Sequence, residues 1–297
     1  MHRQHGFNAI LPALLALLAL PAHAAQPDVV PLHFIGGLPF VAVTVGAARS
    51  EMLFDSGGRL GISLPASTVA AAGSVTLLPQ KAKFSDIHGT VYEVPTLVAR
   101  DVTVGRTALP PVDGRVHVEW GGAPEGPDAA LTRARAAGAI GLAAFGDRPV
   151  MFDYPHGTMT IYDANEGPRP DGAGWQALRL EFGKEGPYVM LGVAGKPLKF
   201  VLDTGAPVVL VKADSLPAHG ACAAGGSDQA CDPTLLADVR DETGRPLGAL
   251  HAHRAALGNA PFDGLLGAPF FAHRRVVFDV AAHRLLITRE DETAQPR

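Results

Sequence analysis

Two stretches of the chain carry the same order of apolar and polar positions. Residues 32–58, "LHFIGGLPFVAVTVGAARSEMLFDSGG", align without a gap on residues 180–206, "LEFGKEGPYVMLGVAGKPLKFVLDTGA", at a spacing of 148. Leu32 falls on Leu180, Phe34 on Phe182, Pro39 on Pro187 and Val41 on Val189. Leu53-Phe54-Asp55 falls on Val201-Leu202-Asp203. Apolar runs bounded by glycine-rich turns predict a strand, a turn and a second strand. A turn at "GAA" or "AGKP" then leads to a third strand ending in aspartate.

A second repeat follows at a spacing of 126. Residues 141–162 fall on 267–288, with Phe145 on Phe271, Phe152-Asp153 on Phe278-Asp279 and Ile161 on Ile287. Two apolar residues and a glycine lead into each copy, as Ala139-Ile140-Gly141 and Leu265-Leu266-Gly267. Self-similarity at a fixed spacing marks a duplicated architecture. The chain therefore divides into an N-terminal lobe at 25–163, a linker at 164–174, a C-terminal lobe at 175–290 and a polar tail at 291–297. The first lobe is longer between its aspartate turn and its apolar-apolar-Gly. "GPDAALTRARAAG" accounts for much of the excess, as a short helix capped by Asp128 and ended by Gly138.

Composition agrees with a strand-rich fold. Aromatics make up only 6% of residues, while Gly (34) and Pro (25) are abundant, which favours short strands and turns over long helices. With 47% hydrophobic residues, the chain can bury one or two full cores. Net charge is −4 with no long run of one sign, so neither nucleic acid nor an anionic membrane surface is indicated as a partner.

Residues 1–24 read as an export signal. Arg3 is followed by the apolar run "AILPALLALLAL" and by the small-x-small triplet Ala22-His23-Ala24. That run is short for a bilayer span, so the expected product is a periplasmic or secreted protein without stable membrane insertion. The two cysteines, Cys222 and Cys231, both lie in the exported portion, where a disulfide is permitted. A bridge closing a small surface loop is the expectation. A free thiol pair and half of a metal site are the alternatives, and no second Cys/His pair stands at zinc spacing.

The chemistry is concentrated in the duplicated turn. One Asp-Ser-Gly is an ordinary turn, since these residues favour turns for backbone reasons. Two such turns on equivalent strands of two similar lobes can meet face to face. Paired carboxylates cannot both ionise cheaply, so they share a proton, and one serves as base while the other serves as acid. The candidate catalytic residues are Asp55 and Asp203. Ser56 and Thr204 are expected to hydrogen-bond to the backbone of the opposite lobe. Gly57 and Gly205 are expected to permit close passage and conformations barred to other residues.

With "LFDSGG" and "AIG" in one lobe, and "VLDTGA" and "LLG" in the other, the chain resembles the two-lobed aspartic peptidases. It is pepsin-like in architecture, and its motifs are similar to those of the retropepsin-like aspartyl proteases of bacteria. The resemblance spans nearly all of the chain after residue 24. It implies an all-β fold of two pseudo-symmetric barrel lobes with a cleft between them. The implied function is that of a monomeric endopeptidase acting on an extended peptide or protein, with no metal and no cofactor. It also implies a flap hairpin within residues 84–105, with His88, Gly89 and Thr90 at the substrate-facing tip. His88 departs from the Tyr-Gly-Thr type of tip, and Tyr92 is either its substitute or an ordinary cross-strand aromatic.

Pepsin-like enzymes usually place Ser or Thr after each Asp-Ser/Thr-Gly, whereas here Gly58 and Ala206 follow. Without that hydroxyl the pair should hold its proton to higher pH, giving a mildly acidic to near-neutral optimum. Arg59 is expected to point to solvent. Asp153 and Asp279 are expected to hold turns. His251 and His253 share a strand face, too few to form a metal site. No Gly-x-Ser-x-Gly and no phosphate-binding glycine loop occurs. Two rival functions remain: a peptide-binding module without turnover, and a single-lobe enzyme working as a dimer with a structural first lobe.

Overall fold

The duplication read along the chain reappears as register in space. The computed structural model describes residues 26–85, 90–118, 129–169, 174–216 and 231–288. One six-stranded sheet is shared by the lobes, in the order Asp28–Pro31, Thr158–Ile161, Val150–Asp153, Arg275–Asp279, Arg284–Thr288, Trp175–Arg179. At its centre Met151 faces Val277, with Val150 opposite Phe278 and Phe152 opposite Val276. Met151 and Val277 are repeat equivalents, and in the flanking pairs each residue faces the equivalent of the residue two along, as a local two-fold axis requires. Farther out, Val30 faces Met159 just as Leu178 faces Leu285.

The alternation of this sheet turns its apolar side chains into the common core. Val150, Phe152, Val276 and Phe278 are buried. The Phe152 ring meets Phe54 edge-on at 4.5 Å and Phe278 at 5.9 Å. It thereby ties the shared floor to the strand that leads into Asp55. Hairpin turns at the floor's edge are held by acids. Asp153 accepts from the His156 backbone N–H, and Asp279 accepts from the Ala282 N–H and from Arg284.

Above the floor each lobe has its own sheet. In the first, Ala48–Phe54 lies between the antiparallel Leu38–Val45 and the parallel pair Ala139–Ile140. In the second, Lys196–Leu202 lies between the antiparallel Gly186–Val193 and the parallel Gly264–Leu266. The second sheet closes on itself as a six-stranded barrel, because Gly186–Val193 also pairs with Cys231–Arg240. In the first lobe that edge is taken by Val102–Val104.

The glycine after each apolar pair is required by close packing. A Cβ at Gly267 would lie 2.0 Å from the Val208 carbonyl, and one at Gly141 would lie 3.0 Å from the Asp55 carbonyl. The insertion of the first lobe contains a helix at Ala129–Arg135, ended by Gly138 at φ +97°. Leu131 on this helix packs with Leu38, Phe40 and Leu53 of its own lobe and with Ala268 of the other. Among the described residues no helix is long and apolar enough to cross a membrane.

Phe152→Ala removes a ring packed at the junction of three elements and should cost about 3–5 kcal/mol. Phe182→Ala, at a half-exposed position, should stay within about 0.5 kcal/mol of the parent. Urea denaturation monitored by circular dichroism measures both.

Candidate active site

Each aspartate leaves the end of a buried strand and is pinned by its parallel neighbour. The Asp55 N–H donates to the Ile140 carbonyl at 2.9 Å, and the Asp203 N–H donates to the Leu266 carbonyl at 3.0 Å. The next residues join the lobes. The Ser56 N–H donates to Thr204 Oγ1 and the Thr204 N–H to Ser56 Oγ, both at 3.0 Å. Ser56 Oγ donates onward to the Leu202 carbonyl at 3.0 Å, and Thr204 Oγ1 to the Phe54 carbonyl at 2.6 Å. Ser56 and Thr204 are fully buried. Four hydrogen bonds, related by the same two-fold as the floor, therefore set one turn against the other.

This brace brings the two carboxyl groups together, close enough that the charge of Asp55 acts on Asp203. Each also accepts from its own turn: Gly58 N–H to Asp55 Oδ1 at 3.0 Å, and Gly205 N–H to Asp203 Oδ1 at 2.9 Å. The close approach anticipated at Gly57 and Gly205 is present. A Cβ at Gly57 would lie 3.0 Å from Asp203 Cγ, and one at Gly205 would lie 3.4 Å from Asp55 Cγ. The expectation of unusual backbone conformations there is corrected. Neither glycine is at positive φ; both positions are crowded by carboxylates rather than strained.

The pair is electrically lopsided. Burial, reinforced by the charge of Asp55, pushes the Asp203 carboxyl up to about 8. Burial also raises Asp55, but the positive charge of Arg115 and the N–H groups of Gly58 and Gly57 oppose the rise. Arg135 acts on Asp203 in the same sense, and its Nη2 reaches the Gly205 carbonyl at 3.4 Å. Burial thus raises both carboxyl groups, while the positive charge of Arg115 favours the ionised form of Asp55.

Arg115 and Arg135 are the residues that sequence reasoning missed. Arg59, the cation nearest in sequence, is exposed. Arg115 is brought in by register instead: it pairs with Thr96 on one side and Ser63 on the other. No local motif marks it.

The hairpin expected to be a flap is formed by Val75–Ser85 and Val91–Ala99, with Phe84 opposite Tyr92 and their rings stacked at 5.1 Å. Its base pairs with Val112–Val116. Thr90 is exposed just before the returning strand, whereas His88 and Gly89 lie outside the described residues. So do residues 1–24, Cys222 and the side chain of Cys231, and with them the expected bridge. His251 is exposed and His253 half-buried. Among the described residues no cluster of three or more His, Cys, Asp or Glu is placed to hold a metal ion.

No family model matches the chain, and no curated protein matches its sequence. Solved structures do. The aspartic proteinase from Irpex lacteus is similar at 12% identity, covering 92% of this chain and 100% of that one, with a TM-score of 0.59. Basic 7S globulin from soybean is similar at 13% identity, covering 90% and 95%, with a TM-score of 0.53. The fold is that of the pepsin-like aspartic peptidases.

Thr204→Ala would leave the Ser56 N–H and the Phe54 carbonyl buried without their partner, for a loss of about 2–5 kcal/mol. Thr204→Ser keeps the hydroxyl and should recover most of that loss. Thermal unfolding of the two variants beside the parent checks the difference.

Proposed function

We propose that the chain is an exported aspartic endopeptidase in which Asp55 and Asp203 activate a single water molecule. The observation that carries this reading is the meeting of two carboxyl groups at the lobe junction, set one residue before the reciprocal Ser56–Thr204 bonds. Such a pair offers a base and an acid to one water at the same time. The likeness to a proteinase of the same fold supports it. The apolar run at residues 9–20, followed by Ala22-His23-Ala24, supports export.

In this scheme Asp55 is ionised and Asp203 holds the proton. Asp55 takes a proton from water as the water oxygen bonds to the peptide carbonyl carbon. Asp203 gives its proton to the carbonyl oxygen, forming a gem-diol. The C–N bond then breaks: Asp55 passes its proton to the leaving nitrogen, and a hydroxyl proton returns to Asp203. The products are an acid and an amine, and the pair regains its single proton. No metal or organic cofactor enters the scheme. The substrate is an extended peptide lying between the lobes under the Val75–Ser85/Val91–Ala99 hairpin.

Asp55→Asn and Asp203→Asn should each lower kcat/KM on a mixed peptide library by about 10³-fold. Activity surviving Asp55→Asn would instead indicate second lobes paired as a dimer. Tight peptide binding by the parent with no turnover at any pH would indicate a binding module, a reading kept in play because one of the similar structures is named a globulin.

The pH profile has a direction too. Activity should fall as pH rises through about 8, where Asp203 gives up the shared proton. Arg115 favours the charged form of Asp55. Removing it in Arg115→Gln raises the Asp55 pKa and moves the acid limb of kcat/KM to higher pH. Profiles of the two proteins on one peptide read this shift.

A further inference from the structure

The two-fold that relates the lobes does not extend to the walls of the cleft. In the first lobe Ser63 lies between Ala139 and Arg115 in register. In the second, Leu210 lies between Leu265 and His253. Since Ala139 and Leu265 occupy the same place before their glycines, Ser63 corresponds to Leu210 and Arg115 to His253. The second-lobe wall carries a small apolar cluster of Leu210, Leu265 and Ala255 joined by Val208, beside the half-buried His253. The first-lobe wall is polar and cationic: Ser63 Oγ bonds to His117 Nδ1 at 3.1 Å, and Arg115 follows on the same strand face.

The environment of Arg115 is specific. Its neighbours Val112 and Gly114 turn toward the core, so Arg115 points the other way. Its guanidinium carbon lies 3.7 Å from the centroid of Phe84, near the end of the hairpin strand. The ring covers one face of the guanidinium and leaves the N–H edges. Arg115 is half-buried, and among the described residues no carboxylate lies within ion-pair distance of it. Asp55 is close enough to feel its charge without forming that pair. A partly desolvated guanidinium stacked on an aromatic ring presents a rigid fork that matches a carboxylate.

We propose that Arg115 is a specificity-determining residue that receives an acidic side chain of the bound peptide on the first-lobe side of the carboxyl pair. The matching position on the second-lobe side is His253 beside the apolar cluster, which offers no guanidinium fork, so the acidic residue is selected on the Arg115 flank of the scissile bond. The inference rests on the reading of this cleft as a peptide site. It deepens that reading by naming the chemical class of the substrate.

The test uses peptides with a hydroxyl-bearing, non-cleavable bond, identical except for Glu or Gln at one position, scanned across both flanks. Binding to the full-length protein is measured by calorimetry. At one flank the Glu peptide should bind roughly tenfold tighter than its Gln twin, as a charge-assisted pair predicts. Arg115→Gln should erase that ratio, Arg115→Lys should keep part of it, and Arg115→Glu should reverse it in favour of a Lys peptide. Reading the ratio within each variant cancels any effect of the substitution on the carboxyl pair, and thermal melts confirm that each variant is folded. Equal binding of the Glu and Gln peptides, a ratio that survives Arg115→Gln, or no binding of either peptide overturns the proposal. Cleavable versions of the same peptides separate the two readings: a Glu preference in binding without hydrolysis sinks the peptidase and leaves the acidic site standing.

Discussion

The reciprocal bonds between Ser56 and Thr204 are the constraint on which the site depends. They are short, fully buried and made across the lobe boundary, where exposed contacts would compete with water. Because each hydroxyl also donates to a carbonyl of the opposite lobe, neither can rotate away without leaving a buried group unpaired. The positions of Asp55 and Asp203 follow directly, one residue before each hydroxyl. Two carboxyl groups would repel one another if both were charged. Their closeness is imposed by this buried network, and burial raises both groups toward their protonated forms.

The floor sheet and the brace obey one symmetry, while the surroundings of the carboxyl pair do not. Arg115 lies nearer the electrostatics of Asp55, Arg135 acts on Asp203, and both arginines come from the first lobe. In a symmetric pair the proton would have no preferred owner. Here burial and the charge of Asp55 raise Asp203, while the positive charge of Arg115 opposes the rise at Asp55. An asymmetric wall on a symmetric frame therefore sets the two carboxyl groups apart electrically without changing the turns themselves.

Much of this was legible in the chain. The gapless match of residues 32–58 with 180–206 carried the hairpins, the aspartate turns and the hydroxyls, because a duplicated strand pattern leaves a residue-by-residue trace. The second match marked Met151 and Val277 as equivalents, but their pairing in one sheet shared by the lobes came only with the fold. Arg115 was not legible, because its place depends on the pairing of Val112–Val116 with Ile62–Leu64, a long-range register that no local pattern encodes. The glycines were half legible. Their need was foreseen, but its cause is close packing rather than backbone conformation, against the opposite carboxyl group at Gly57 and against Leu53 and both carboxyl groups at Gly205.

The insertion that breaks the repeat shows how asymmetry enters a duplicated fold. Its helix, Ala129–Arg135, has no counterpart among the described residues of the second lobe. Leu131 seats it against Leu53 of the strand that leads into Asp55 and against Ala268 just past the second lobe's glycine. From that seat Arg135 reaches the carbonyl of Gly205. One short element thus spans the axis, packing apolar surface on both lobes and delivering a charge to the carboxyl group of the other one. Because it lies beside the turns rather than within them, it can bias the proton without disturbing the four bonds that fix the carboxyl groups in place.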